Sequence, residues 1–214
     1  MEPLAQIEDV GVSLGGRPVL RDVALKIEPG EVVGISGANG SGKTTLVRTL
    51  ATLQRPSNGS GRILGVDITG SDLSGARKGI GLIGHTPALV PELSLRENLT
   101  HIARLAGIAV DRVDPVLEVV GLGEASDRRA EAASFGMKRR AEVAHLLLRK
   151  PQLLLLDEAV SGLDEAASEL IDALVETNTE RGGATVMVSH DRRYLNAKCQ
   201  RTMHLGTGKL EVNG

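Results

Sequence analysis

Aliphatic residues fall in short blocks along this chain, and the spacing of the blocks predicts alternating strands and helices. Residues 7–14 and 19–27 read as two β-rich segments parted by Gly15-Gly16. Pro29-Gly30 then marks a turn. Val32, Val33 and Ile35 make residues 31–36 a short buried strand, and a glycine-rich loop leads from it into a helix over about 43–53. Further strands are predicted at 61–64, 79–83, 153–156 and 185–189, with two short ones near 202–205 and 209–212. Apolar runs bounded by helices read as parallel strands covered on both faces.

The middle of the chain has a different period. Ser94-Leu95-Arg96-Glu97 has the form of a capping box and opens a helix to about Ala106, ended by Gly107. A second helix covers 113–120, with Gly121 at its C′ position. A third covers 136–150 and stops at Pro151. Residues 1–86 and 151–214 therefore form an α/β core, with a β subdomain at its start, and about 87–150 form an inserted α-helical subdomain.

Composition narrows the function. The 214 residues suit one large domain or two small ones. The 25 basic and 27 acidic residues nearly balance, which removes a general electrostatic attraction to nucleic acid. One Tyr, one Phe and no Trp leave no stacking platform for single strands. Basic pairs at Arg128-Arg129, Arg139-Arg140 and Arg192-Arg193 are scattered among acids and read as solvated faces. A single cysteine, Cys199, excludes an intramolecular disulfide and a cysteine-based zinc cluster. The first residues show no secretory pattern, and no apolar run approaches the roughly 20 residues of a membrane span.

Two motifs carry chemistry. Gly37-Ala38-Asn39-Gly40-Ser41-Gly42-Lys43-Thr44 fits G-x-x-x-x-G-K-[ST] in full, between an apolar strand and a helix. Its glycines let successive N–H groups curl around phosphate oxygens, and the helix N-terminus favours the same anion. Lys43 brings a charge to the β and γ phosphates, and the Thr44 hydroxyl can ligate Mg²⁺. The second motif is four leucines, 153–156, followed by Asp157 and Glu158. A buried strand there delivers Asp157 to the sheet edge to hold Mg²⁺, directly or through water, and places Glu158 to orient or deprotonate a water. A third segment, Ser134-Phe135-Gly136-Met137, is on physical grounds only a helix start with Ser134 as its N-cap.

Taken in order, these segments resemble the nucleotide-binding subunit of an ABC transporter, an ABC-type ATPase. The likeness runs essentially end to end and implies a P-loop NTPase core of mainly parallel sheet, with ATP and Mg²⁺ as ligands. It implies an ATP site of Gly37, Asn39, Gly40, Ser41, Gly42, Lys43, Thr44 and Thr45, with metal at Thr44 and Asp157. Ser134, Gly136 and Met137 match the signature, which in the family meets the ATP of a second subunit. Ser161-Gly162-Leu163-Asp164 resembles the D-loop, and Ser189-His190-Asp191 carries the switch histidine. Glu158, His190 and Lys43 are thereby expected to be catalytic. The resemblance also implies a membrane permease as partner, a second ATPase subunit, and a place on the cytoplasmic face of the membrane.

The sequence departs from the family pattern at three points. Leu14 stands where an aromatic usually stacks on adenine, Phe135 where the signature has its first glycine, and His85 where the family has a glutamine. His85 is expected to act through a metal-bound or attacking water. The Gly84-His85 pair resembles the ATPase subunit of the haem exporter of cytochrome c maturation, and also drug-exporter-like ATPases. Residues 87–91 read either as an exposed apolar loop that receives the permease or as a buried turn. Two rivals remain: a non-transport ABC ATPase that remodels a soluble complex, and a P-loop small-molecule kinase. The first usually has two ATPase units or a long insertion, absent here; the second has no use for the signature and D-loop.

Overall fold

The computed structural model describes residues 2–212, which divide into two compact units. The first takes in residues up to Leu82, Pro151–Ala159, and those from Thr177 on. Along the chain it holds β1 (Ala5–Leu14), β2 (Arg17–Ile27), β3 (Val32–Ser36), α1 (Lys43–Leu50), β4 (Asn58–Ile63), β5 (Val66–Asp67), α2 (Ser74–Gly79) and β6 (Ile80–Ile83, its last residue outside the unit). The second unit carries α3 (Leu95–Leu105), α4 (Val113–Val119) and α5 (Phe135–Arg149). The chain re-enters the first at β7 (Leu153–Asp157), and α6 (Glu165–Glu180) runs from one into the other. It ends with β8 (Ala184–Val188), α7 (Arg192–Lys198), β9 (Arg201–Gly206) and β10 (Lys209–Val212). Residues 160–176 group with the helical unit, although they follow the strand that resumes the α/β core.

Two sheets build the first unit. An antiparallel one has the order β2-β1-β4-β5, and a six-stranded one the order β10-β9-β3-β8-β7-β6. Within the second, β9, β3, β8 and β7 are parallel, and β10 returns antiparallel on β9. Strands β3, β7 and β8 are buried along their whole length, which is why each reads as an unbroken apolar run rather than an alternation. Ile7, Leu20, Ile35, Leu46, Leu155 and Val186 share one core between the two sheets and α1.

Strand β4 begins at Asn58, three residues before the expected strand, because Asn58 pairs with Gly11 of β1. Helix α1 stops at Leu50 rather than Leu53. Short α2 carries two glycines in six residues, so neither propensity nor period announces it.

The helical unit forms as its capping residues dictate. The Ser94 hydroxyl accepts from the Glu97 amide at 3.1 Å, and the Glu97 carboxylate accepts from the Ser94 amide at 2.8 Å. Gly107 and Gly121 follow α3 and α4 in left-handed conformations, with φ of 67° and 69°. Ser134 caps α5 by accepting from the Met137 amide at 3.2 Å. Leu95, Leu99, Ala103, Leu117, Val143 and Ala144 are buried where the three helices pack. The basic pair Arg139-Arg140 departs from the expected solvated face: the Arg139 side chain is 1% exposed and that of Arg140 26%.

Half-buried His145 on α5 ties this unit's stability to pH. Its Nε2 has no hydrogen-bond partner, and burial, then the charge of Arg149 one turn on, lowers its pKa from 6.5 to about 4. The unfolded chain binds this proton more readily, so the stabilising contribution is complete above pH 6.5 and is lost as pH falls towards 4. At 1.36 kcal/mol per unit the loss is at most about 3 kcal/mol. Thermal unfolding between pH 7 and 4 should show that slope in the wild type and a flatter one in His145→Leu. Parallel curves would contradict it.

Candidate functional site

The carboxyl ends of parallel strands β3, β8 and β7 lie on one edge of the sheet, and the candidate residues of the first unit follow directly from them. From β3 the chain enters the glycine-rich loop and then α1. Gly42 turns the chain into the helix with φ of 106°, and a side chain there would meet Leu20 Cδ2 at 2.9 Å and the Val19 carbonyl at 3.2 Å. Lys43 is 7% exposed, and its Nζ donates to the carbonyls of Gly37 at 2.9 Å and Ala38 at 3.1 Å. The ammonium thus holds the loop around itself. Ser41 Oγ is buried with no hydrogen-bond partner, an unused donor inside the glycine-rich loop. The Asn39, Gly40 and Thr44 positions are exposed, and Thr45 is half-buried.

From β7 comes the buried Asp157, then Glu158 with a left-handed φ of 54°. The Glu158 amide donates to the Val188 carbonyl at 2.9 Å, which holds that turn against β8. Register does the rest: Asp157 pairs with Val188, so the residues just beyond both strands emerge side by side. His190 Nδ1 lies 2.9 Å from Glu158 Oε2. The His190 side chain is 66% exposed and that of Glu158 17%, so the carboxylate anchors an imidazole whose other nitrogen faces outward. With Nδ1–H donating to the carboxylate, Nε2 is an acceptor; protonated, it becomes a second donor. Asp191 fixes the next turn by accepting from the Arg193 and Tyr194 amides at 2.9 and 3.1 Å. The sequence names both Glu158 and His190, but nothing in it shows that residues 32 positions apart touch; strand register alone brings them together.

The other candidates belong to the helical unit. Ser134 is exposed at the first turn of α5, with Gly136 and Met137 half-buried beyond it, and Met137 Sδ accepts from Arg128 Nη1 at 3.7 Å. Asp164 caps α6 by accepting from the Ala167 amide at 2.8 Å, and its second oxygen lies 3.7 Å from Arg140 Nη2. The His85 side chain is exposed, and residues 87–91 form an exposed loop rather than a buried turn, with Val90 46% exposed. In the other unit Leu14 is 44% exposed at the end of β1 and offers an adenine only aliphatic surface. Arg139, which the sequence reads as part of a solvated face, and Glu142, which it does not single out, form a buried ion pair at 2.7 Å.

The donor set fits a nucleotide-borne Mg²⁺ rather than a resident metal. Among the described residues no group of three or more His, Cys, Asp or Glu side chains could hold a metal. Mg²⁺ is ordinarily held by one or two carboxylates together with phosphates and waters, and Asp157 with the Thr44 hydroxyl is a set of that kind. Among the described residues no helix is long and apolar enough to cross a membrane.

The family profile described as "ABC transporter" matches residues 20–161. The chain is 36% identical over 212 residues to the "Uncharacterized ABC transporter ATP-binding protein YhcH" of Bacillus subtilis, covering 98% of this chain and 69% of that one. It is 37% identical over 203 residues to the "Methionine import ATP-binding protein MetN" of Cupriavidus metallidurans, covering 91% of this chain and 59% of that one. A solved structure of an "ATP binding subunit of ABC transporter" superposes with a TM-score of 0.90 at 26% identity, over 99% of this chain and 89% of that one. Profile and relatives show that the chain belongs to the ABC transporter family as an ATP-binding ABC-type ATPase, and the solved structure shares its fold.

Proposed function

We propose that this chain hydrolyses MgATP as the motor subunit of a membrane transport complex, paired with a second ATPase subunit and docked on a separate permease at the cytoplasmic face. The observation that carries the reading is the Glu158–His190 pair on the same sheet edge as the phosphate loop. When bound, Mg²⁺ neutralises charge developing on the β and γ oxygens. Lys43 exchanges its two loop carbonyls for phosphate oxygens, and Ser41 Oγ donates its unused hydrogen bond. Asp157 and the Thr44 hydroxyl hold the metal. Glu158 accepts a proton from the attacking water while His190 keeps the carboxylate aimed and presents its outer nitrogen to the γ-phosphate. Ser134 and Gly136 at the N-terminus of one subunit's α5 complete the site of the other, where helix-end amides favour the same phosphate.

Cargo selectivity resides in the permease. Haem and an exporting direction rest on the resemblance of Gly84-His85 to the haem exporter of cytochrome c maturation. Of the relatives named above, one is uncharacterised and the other serves methionine import, so they lend that finer reading no support. A drug-exporter-like partner stands on the same pair. Identification of the membrane protein that copurifies with the chain decides among them.

Two outcomes test the mechanism. Glu158→Gln should bind ATP as the wild type does while kcat falls about 10²- to 10⁴-fold, the range of a lost general base. Wild-type turnover in that variant would remove Glu158 from the role. Pairing is tested by mixing Lys43→Ala with Ser134→Arg subunits, each inactive alone. One intact composite site should appear in the mixture and restore part of the hydrolysis, with specific activity rising with protein concentration. No recovery, together with a wild-type monomer active at all concentrations, would contradict the paired site.

A further inference from the structure

The helical unit buries a charged pair that stability does not call for. Taking both charges out of water is costly, and well-packed apolar residues usually do as well in such places. Here burial is the leading influence on each partner: it raises the Glu142 carboxyl above its ordinary range and lowers the Arg139 guanidinium below its own. Arg139 Nε is also left without a hydrogen-bond partner. A pair kept on such terms is explained by what else it holds.

What it holds is the backbone of another segment. Arg139 Nη1 donates to the Gly84 carbonyl at 2.9 Å, and Nη2 to the His85 carbonyl at 3.2 Å. The same Nη1 donates to Glu142 Oε2 at 2.7 Å, and Glu142 Oε1 accepts from the Ala88 amide at 2.9 Å. The planar fork holds two successive carbonyls and the Glu142 carboxylate at once in one fixed geometry, which the single point charge of a lysine ammonium does not reproduce. Asn98, buried on α3, extends the hold by accepting from the Val90 amide at 2.8 Å and donating to the Val90 carbonyl at 3.1 Å. Five backbone groups between Gly84 and Val90 are thus fixed by three buried side chains, while the Ala88 and Val90 side chains stay exposed.

Phe135 belongs to this arrangement. The Arg139 Cζ sits over its ring, 5.3 Å from the centroid. An aromatic at that position covers a face of the guanidinium that a glycine would leave open, which gives a physical reason for the bulky residue in the signature.

We propose that Arg139 and Glu142 are positioning residues for hydrolysis: they lock the segment Gly84–Ala88, with His85, to the helix whose first turn carries Ser134 and Gly136. The two segments then keep a single register, and neither can reach its nucleotide without the other. The inference rests on the proposed reading of the chain as an ATPase with these segments at its site.

The test separates positioning from mere folding. Arg139→Met with Glu142→Leu removes the charges and all hydrogen bonds to Gly84, His85 and Ala88, and leaves an apolar pair of the kind that commonly preserves stability. That double variant should melt with the wild type and lose protection of the Ala88 amide from hydrogen exchange. Its kcat for ATP should fall about 10- to 100-fold, as expected of a site displaced by about an ångström, with KM changed far less. Arg139→Lys retains a charge for Glu142 but not the fork, and should also lower kcat at unchanged KM; it decides the matter should the double variant not fold. Wild-type kcat in a folded double variant, or in Arg139→Lys, overturns the proposal. A wild-type protein without ATPase activity would instead remove the reading beneath it.

Discussion

The parallel pairing of β3, β8 and β7 is the constraint on which the site depends. Three apolar strands, buried on both faces, can satisfy their backbone groups only by pairing with one another, and their common direction sends all three carboxyl ends to one edge. A one-residue slip between β7 and β8 would move Glu158 away from Val188 and break its contact with His190. The geometry of the candidate site is therefore set by sheet register, which the leucine and valine packing of the core maintains, rather than by any local feature of the loops.

Two kinds of backbone strain accompany that edge. Gly42 takes its left-handed conformation without a side-chain penalty, whereas Glu158 takes one with a side chain. The surrounding structure meets that cost through the Glu158 amide bond to Val188 and the carboxylate contact with His190. In the helical unit the equivalent ordering device is not strain but buried charge, with Arg139 and Glu142 spending their hydrogen bonds on a distant backbone.

Much of this was legible before the structure. The phosphate loop, the leucine strand with its two acids, the capping box of α3 and the Ser134 cap of α5 are local signals whose chemistry is written in adjacent residues. Helix α2 was not legible, because its glycines erase both propensity and period. The start of β4 was hidden because it is fixed by pairing with Gly11 rather than by its own polar sequence. Arg139 was misread as solvated: a basic pair in an amphipathic helix looks the same whether its arginines face water or a carboxylate three residues on. The Glu158–His190 contact was invisible for the reason that makes it informative, since only the register of two strands joins the residues.

That contact also offers the most direct measurement of the account. A double-mutant cycle on kcat compares the wild type with Glu158→Gln, His190→Ala and the two together. If the pair acts as one unit at the sheet edge, the double variant will be no slower than the slower single variant, so that the coupling nearly equals the smaller single effect. Losses that multiply independently would show that the two side chains, though 2.9 Å apart, do separate work, and would contradict the account.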